Sequence, residues 1–148
     1  MRAGDVMTTG AARVRPDALL VEAVRLMVEH RISGLPVVDG EERLVGLITE
    51  ADFLRAEAGR QPRLVEVLAS TGNEAAQELN SHRVEELMTR NPISIGVETP
   101  LEEIVALMNR HDVRRLPVVA QDKVVGVVSR ANLLLALLRR AQAGPRAL

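Results

Sequence analysis

Thr49 and Asp52 stand three residues apart at the predicted start of a helix, and Ser129 and Asn132 repeat the arrangement later in the chain. A hydroxyl at a helix N-terminus, beside backbone N–H groups that have no intrahelical partner, suits a phosphate. The same residues serve equally as an N-cap followed by a first-turn acid that the helix dipole favours. Both readings stand on these residues alone. Asn132 accepts through its amide oxygen and donates through its NH2, but it lacks the charge of Asp52. Arg114 and Arg115 add two guanidinium groups. At the mouth of a cleft they would favour a polyphosphate by bidentate contacts; otherwise they belong to a solvated turn.

Residue types for covalent chemistry are scarce. The chain has no cysteine, so it has neither a thiol nucleophile nor a thiolate metal site. It contains no HExxH pair, no GxSxG elbow and no P-loop. Its three histidines are His30, His82 and His111. Two of them occupy equivalent places in an internal repeat, which should keep them apart in space. The expectation is a protein that is not an enzyme, with no catalytic residue, no metal and no required cofactor.

The elements that position these residues come in two copies. Met7-Thr8 reappears as Met88-Thr89, His30 as His111, and Leu35-Pro36-Val37-Val38 as Leu116-Pro117-Val118-Val119, always 81 positions on (7 to 88, 36 to 117). The offset then drops to 80 (46 to 126), where a hairpin turn should lie and a length change is tolerated. A duplicated unit this short predicts two copies that share a core, with any site between them or repeated across them.

Within each copy the periodicity predicts β-α-β-β-α. A short strand is expected at Ala12–Val14 and at Ile93–Ile95. Leu20, Ala23, Val24 and Met27 then follow the spacing of one buried helical face, as do Leu101, Ile104, Val105 and Met108. Asp17 and Thr99 are the N-cap candidates, with Pro100 at a first helical position. Apolar runs at Leu35–Val38 and Leu44–Ile48, and at Leu116–Val119 and Val124–Val128, flank turn-forming residues and predict hairpins. Second helices start after Thr49 and Ser129. The last of them, Leu133–Arg140, is closed by Ala143-Gly144-Pro145. Between the copies, Gly59-Arg60-Gln61-Pro62 breaks the chain ahead of short helices over Arg63–Ala69 and Asn73–Leu79. That spacer is a solvated connector or, alternatively, a lid or partner-docking element. The division is 1–56 for the first copy, 57–82 for the spacer, 83–141 for the second copy and 142–148 for the tail.

The chain has 148 residues, is 47% apolar and carries a net charge of −1. That charge gives no general attraction to nucleic acid or anionic lipid. Phe53 is the only aromatic residue, so no platform exists for stacking bases. No apolar run is long enough for a membrane helix, and no secretory leader is apparent. Neither nucleic acid nor membrane is expected as a partner, and a cytoplasmic location is expected.

Several motifs, found twice in the same order, resemble the CBS domain (named from cystathionine β-synthase) as a tandem pair, or Bateman module. They are Val6-Met7-Thr8 and Leu87-Met88-Thr89-Arg90-Asn91-Pro92; Val45-Gly46-Leu47-Ile48-Thr49-Glu50-Ala51-Asp52 and Val125-Gly126-Val127-Val128-Ser129-Arg130-Ala131-Asn132; and His111-Asp112-Val113-Arg114-Arg115-Leu116-Pro117-Val118-Val119. The resemblance covers about Asp5–Leu54 and Glu86–Leu135 and is to stand-alone bacterial CBS-pair proteins. The spacer is also similar to that of CBS-pair proteins with a C-terminal BON domain, which is not expected in a chain that stops at Leu148.

The resemblance implies an α+β fold of two β-α-β-β-α units related by a pseudo-twofold axis and sharing one core, with two clefts between them. It implies a homodimer, a disc of four units, and control of an unknown partner protein. The implied ligand is an adenosine compound: AMP, ADP, ATP or S-adenosylmethionine. Asp52 matches the position that holds ribose, with Thr49 beside it; Ser129 and Asn132 are their counterparts. Thr8 and Thr89 match a second motif. Val14, Ile32, Ile95 and Val113 would line a slot for the base, or simply pack in the core. Arg114 and Arg115, where the first copy has Ser33 and Gly34, would make the second site prefer ADP or ATP over AMP. The first copy has the better Gly-to-Asp motif and the second the better Thr-to-Pro motif, so occupancy of either cleft stays open. A structural dimerisation module with degenerate sites is the alternative.

Overall fold

A computed structural model describes residues 1–54 and 73–144. The expected helix over Arg63–Ala69 lies outside the described residues. In chain order the elements are α1 (Ala3–Val6), α2 (Leu20–His30), β1 (Gly34–Val38), β2 (Leu44–Thr49), α3 (Glu50–Leu54), α4 (Glu74–Ser81), α5 (Val84–Leu87), β3 (Thr89–Arg90), β4 (Ile95–Gly96), α6 (Leu101–His111), β5 (Arg115–Ala120), β6 (Lys123–Ser129) and α7 (Arg130–Ala143). The fold is α+β, with two three-stranded sheets.

Contacts divide the chain into two compact units, one of residues 12–92 and one joining 1–11 to 93–148. The boundary between units is therefore not the boundary between repeats. Each unit takes the body of one copy and the opening segment of the other. The reason is visible in the strand pairing. In the first unit β1 pairs antiparallel with β2, and β2 pairs antiparallel with β3, which comes from the second repeat. Val14 completes the other side of that sheet by a parallel bridge to Val37. In the second unit β4 lies parallel to β5, β5 pairs antiparallel with β6, and Thr8, from the first repeat, bridges to Val127 of β6.

Gly46 and Gly126 make this crossing possible. A Cβ on Gly46 would stand 2.6 Å from Met88 Sδ and 3.0 Å from the Thr89 carbonyl. On Gly126 it would stand 2.7 Å from Met7 Sδ and 3.0 Å from the Thr8 carbonyl. Glycine in a strand interior here marks close approach of another backbone.

The one-residue slip between copies falls in the hairpin. Val38 pairs with Leu44, whereas the tighter second turn carries the ladder on to Ala120 and Lys123. Gln121 and Asp122 both have positive φ there, as a two-residue type I′ loop requires. In the longer first turn the Asp39 carboxylate accepts from the backbone N–H groups of Glu41 and Arg43. Those two contacts, Arg43 first, and the Arg43 side chain hold the Asp39 carboxyl below the usual carboxylate value.

Among the described residues, buried side chains gather in two clusters, one in each unit. Leu20, Leu35, Val37, Ile48, Val84 and Leu87 centre the first. Ala3, Ile104, Leu116, Val118 and Val128 centre the second. Leu20, Ala23 and Met27 form the buried face of α2, as their spacing predicts. In α6 the buried face narrows to Ile104 and Met108, and Val105 is exposed. Both helices start later than expected. Leu19 and Pro100 are the N-caps, and the Thr99 hydroxyl accepts instead from Gly96 N–H. No side chain caps the N-terminus of α2, where Leu20 N–H donates to the His82 carbonyl.

Candidate functional site

In the first unit Thr49 ends β2 and Asp52 lies in the first turn of α3. Asp52 Oδ2 accepts from Thr49 N–H at 2.8 Å and from the Thr49 hydroxyl at 3.3 Å. Asp52 Oδ1 accepts from the Thr89 hydroxyl at 2.9 Å. Asp52 is 1% exposed and is the one buried polar side chain among the described residues. Burying a carboxylate is costly unless hydrogen bonds replace its water, and here three donors do so. Thr89 reaches it because Val84, Leu87 and Met88 anchor the crossing segment in the first unit's core and β3 lies against β2.

The second unit builds the counterpart with weaker chemistry. Ser129 caps α7, accepting from Asn132 N–H at 3.3 Å. Asn132 Oδ1 accepts from Ser129 N–H at 2.7 Å and from its hydroxyl at 2.9 Å. Asn132 Nδ2 donates to the Thr8 hydroxyl oxygen at 3.2 Å. Asn132 is half-buried and Thr8 exposed.

The threonines are thus exchanged relative to the repeats. Thr89 serves Asp52 and Thr8 serves Asn132. The better Gly-to-Asp motif and the better Thr-to-Pro motif, which stand in different copies of the sequence, meet in one unit. Thr49, Asp52 and Thr89 form one constellation; Ser129, Asn132 and Thr8 form the other.

The remaining candidates sit around these constellations or in the cores. Val14 and Ile95 are 5% and 4% exposed, so they present little surface to a ligand. Ile32 and Val113 are half-buried against the edges of the two clusters. Arg115 opens β5 half-buried, and Arg114 is exposed. The Arg114 carbonyl accepts from Arg130 N–H at 3.0 Å, which brings two exposed arginines to the start of α7. At the equivalent place in the first unit the Ser33 carbonyl accepts from Glu50 N–H at 2.9 Å. The two sites therefore differ in local charge at these two pairs of equivalent positions, Ser33/Arg114 and Glu50/Arg130. Glu50 and Arg130 were not singled out by sequence reasoning, although their alignment in the repeat carries the signal.

His30 and His111 close α2 and α6. The His82 imidazole stands between Glu86 Oε1 at 3.1 Å and Glu78 Oε2 at 3.4 Å. Backbone N–H of Arg83 and then the His82 ring hold the Glu86 carboxyl below its usual value. Among the described residues no group of three or more such side chains is arranged to hold a metal ion, and no helix is long and apolar enough to cross a membrane.

Comparison with known proteins agrees with this architecture. The CBS domain family model matches residues 3–59 and 84–139. CBSX1, a chloroplastic CBS domain-containing protein of Arabidopsis thaliana, is 36% identical over 90% of this chain; the chain spans 61% of that protein, less than two thirds. The CBS domain-containing protein YhcV of Bacillus subtilis (strain 168) is 33% identical over 95% of this chain and 88% of its own length. The crystal structure of CBSX2 from Arabidopsis thaliana in complex with AMP matches with a TM-score of 0.73 and 30% identity, covering 93% of this chain and 97% of that one. With two matches, one to each repeat, this chain belongs to the CBS domain family.

Proposed function

We propose that this protein is a regulatory module that binds an adenosine-containing ligand and controls a partner protein. The observation that carries the reading is the Thr49–Asp52–Thr89 constellation: a charged bidentate acceptor with a hydroxyl against each oxygen. A carboxylate accepts from the two hydroxyls of a ribose at once, with charge-assisted strength. The AMP complex of CBSX2 supports an adenosine ligand by similarity. The chain is not an enzyme; what it shares with its relatives is the CBS domain itself.

The second unit would take the more highly phosphorylated ligands. Arg114 and Arg130 stand there where the first unit has Ser33 and Glu50. Control would work by differential affinity: a ligand shifts a partner only if it binds one state of the module better than another.

A second reading is a structural homodimerisation module with degenerate sites. Asn132 favours it, since that side chain lacks the charge of Asp52. A thermal-shift panel of AMP, ADP, ATP and S-adenosylmethionine separates the two. Ligand at about 100 times its dissociation constant adds about 2.7 kcal/mol. A rise of several degrees with one of these ligands is expected, and no rise with any would leave the structural module.

A further inference from the structure

The carboxylate assigned above to a ribose is closed to one in this structure. Asp52 is 1% exposed, and both of its oxygens already accept hydrogen bonds. Vicinal ribose hydroxyls would need those same two oxygens. The three donors are not equally easy to give up. The Thr49 N–H and hydroxyl lie at the head of the same helical turn as Asp52, so their bonds are local. Thr89 comes from 37 residues away, is exposed, and rides on a two-residue strand at the end of the segment anchored by Val84, Leu87 and Met88.

The second unit supplies an internal comparison. There Thr8 accepts from the Asn132 amide instead of donating to it, and Asn132 is half-buried rather than sealed. A threonine hydroxyl that occupies the acceptor is therefore peculiar to the charged site.

We infer that Thr89 is an internal competitor for Asp52. Its hydroxyl closes the carboxylate in the empty protein, and an adenosine ligand enters by displacing it. This rests on the adenosine reading above and extends it to regulation. Displacement removes the side-chain bond that ties β3 to α3, and the chain of β3 runs through Asn91 and Pro92 directly into Ile93, where the other unit resumes. Occupancy of one site is thereby written into one of the chain crossings that join the units.

Thr89→Val tests this, because it keeps the β-branched shape that suits a strand and removes the donor. Calorimetric titration with adenosine and with AMP should show about tenfold tighter binding than wild type, since a closed state lowers apparent affinity by the open fraction. Thr89→Ala should behave like Thr89→Val, and Thr89→Ser like wild type. In wild type, saturation with AMP should speed amide hydrogen exchange at Thr89 and Arg90. Weaker binding by Thr89→Val would make Thr89 a ligand contact. Unchanged binding would make it a strand fastener. Either result, or slower exchange at β3, overturns the competitor while leaving the adenosine reading intact. If neither wild type nor variant binds, the adenosine reading fails and the competitor with it.

Discussion

A carboxylate as buried as Asp52 persists only where donors surround it, and among these are the Thr49 N–H, the Thr49 hydroxyl and the Thr89 hydroxyl. The same geometry serves stability and recognition. Two of those donors come from a residue three positions away, and that part was readable in the sequence as a helix start. The Thr89 contact was not readable. Nothing in Met88-Thr89-Arg90-Asn91-Pro92 says which copy of β2 the segment joins, because that is settled by packing of Val84, Leu87 and Met88. Charge around the two sites makes a second residue-scale prediction. Replacing Arg114 by Ser and Arg130 by Glu gives the second unit the first unit's residues at those positions. Binding of inorganic triphosphate, measured calorimetrically at low salt, should weaken by about tenfold or more. An unchanged constant would place polyphosphate recognition elsewhere.

At the scale of elements, the strand and helix order followed from apolar runs around turn residues and from 3.6-residue periodicity, because β1, β2, β5 and β6 are long enough to show as runs. Strand β3 was missed for the opposite reason: two residues hold no period. Val105 was expected to be buried by its spacing from Leu101, but the buried face of α6 is narrower than the apolar face. The crossing strands give a direct test. Gly46→Ala would place a methyl against Met88 Sδ and the Thr89 carbonyl. A loss of about 1–3 kcal/mol is expected in urea unfolding, whereas full stability would mean that the crossing is loose. The turn carboxylate Asp39 and the helix-capping Glu86 give a pH test. Asp39 and Glu86 have lowered native pKa values. Their contribution is present above the ordinary values and is lost as pH falls through the lowered ones. The melting temperature should therefore fall between about pH 5 and pH 3, and less steeply in an Asp39→Asn, Glu86→Gln variant. Equal slopes in the two proteins would remove these contacts from the account.

At the scale of the whole molecule, the duplication was legible as a constant offset, and the α+β class with it. The division into units was not, since exchange of the opening segments leaves no local trace beyond two glycines in equivalent strands. Helix α7 turns Ala136 into the second unit's core and leaves Leu134, Leu135, Leu137 and Leu138 exposed. Such a row of leucines fits the proposed second copy, because contiguous apolar surface marks association sites. Light scattering should show a dimer that Leu134→Glu with Leu138→Glu converts to a monomer; a wild-type monomer would end that reading. The central claim is that Asp52 binds adenosine compounds, and titration of AMP into wild type and Asp52→Ala tests it most directly. The account predicts saturable one-site heat with wild type and a loss of about tenfold or more in the variant, the scale of a charge-assisted bidentate contact. Equal affinity in the two proteins, with the variant folded by circular dichroism, would contradict it.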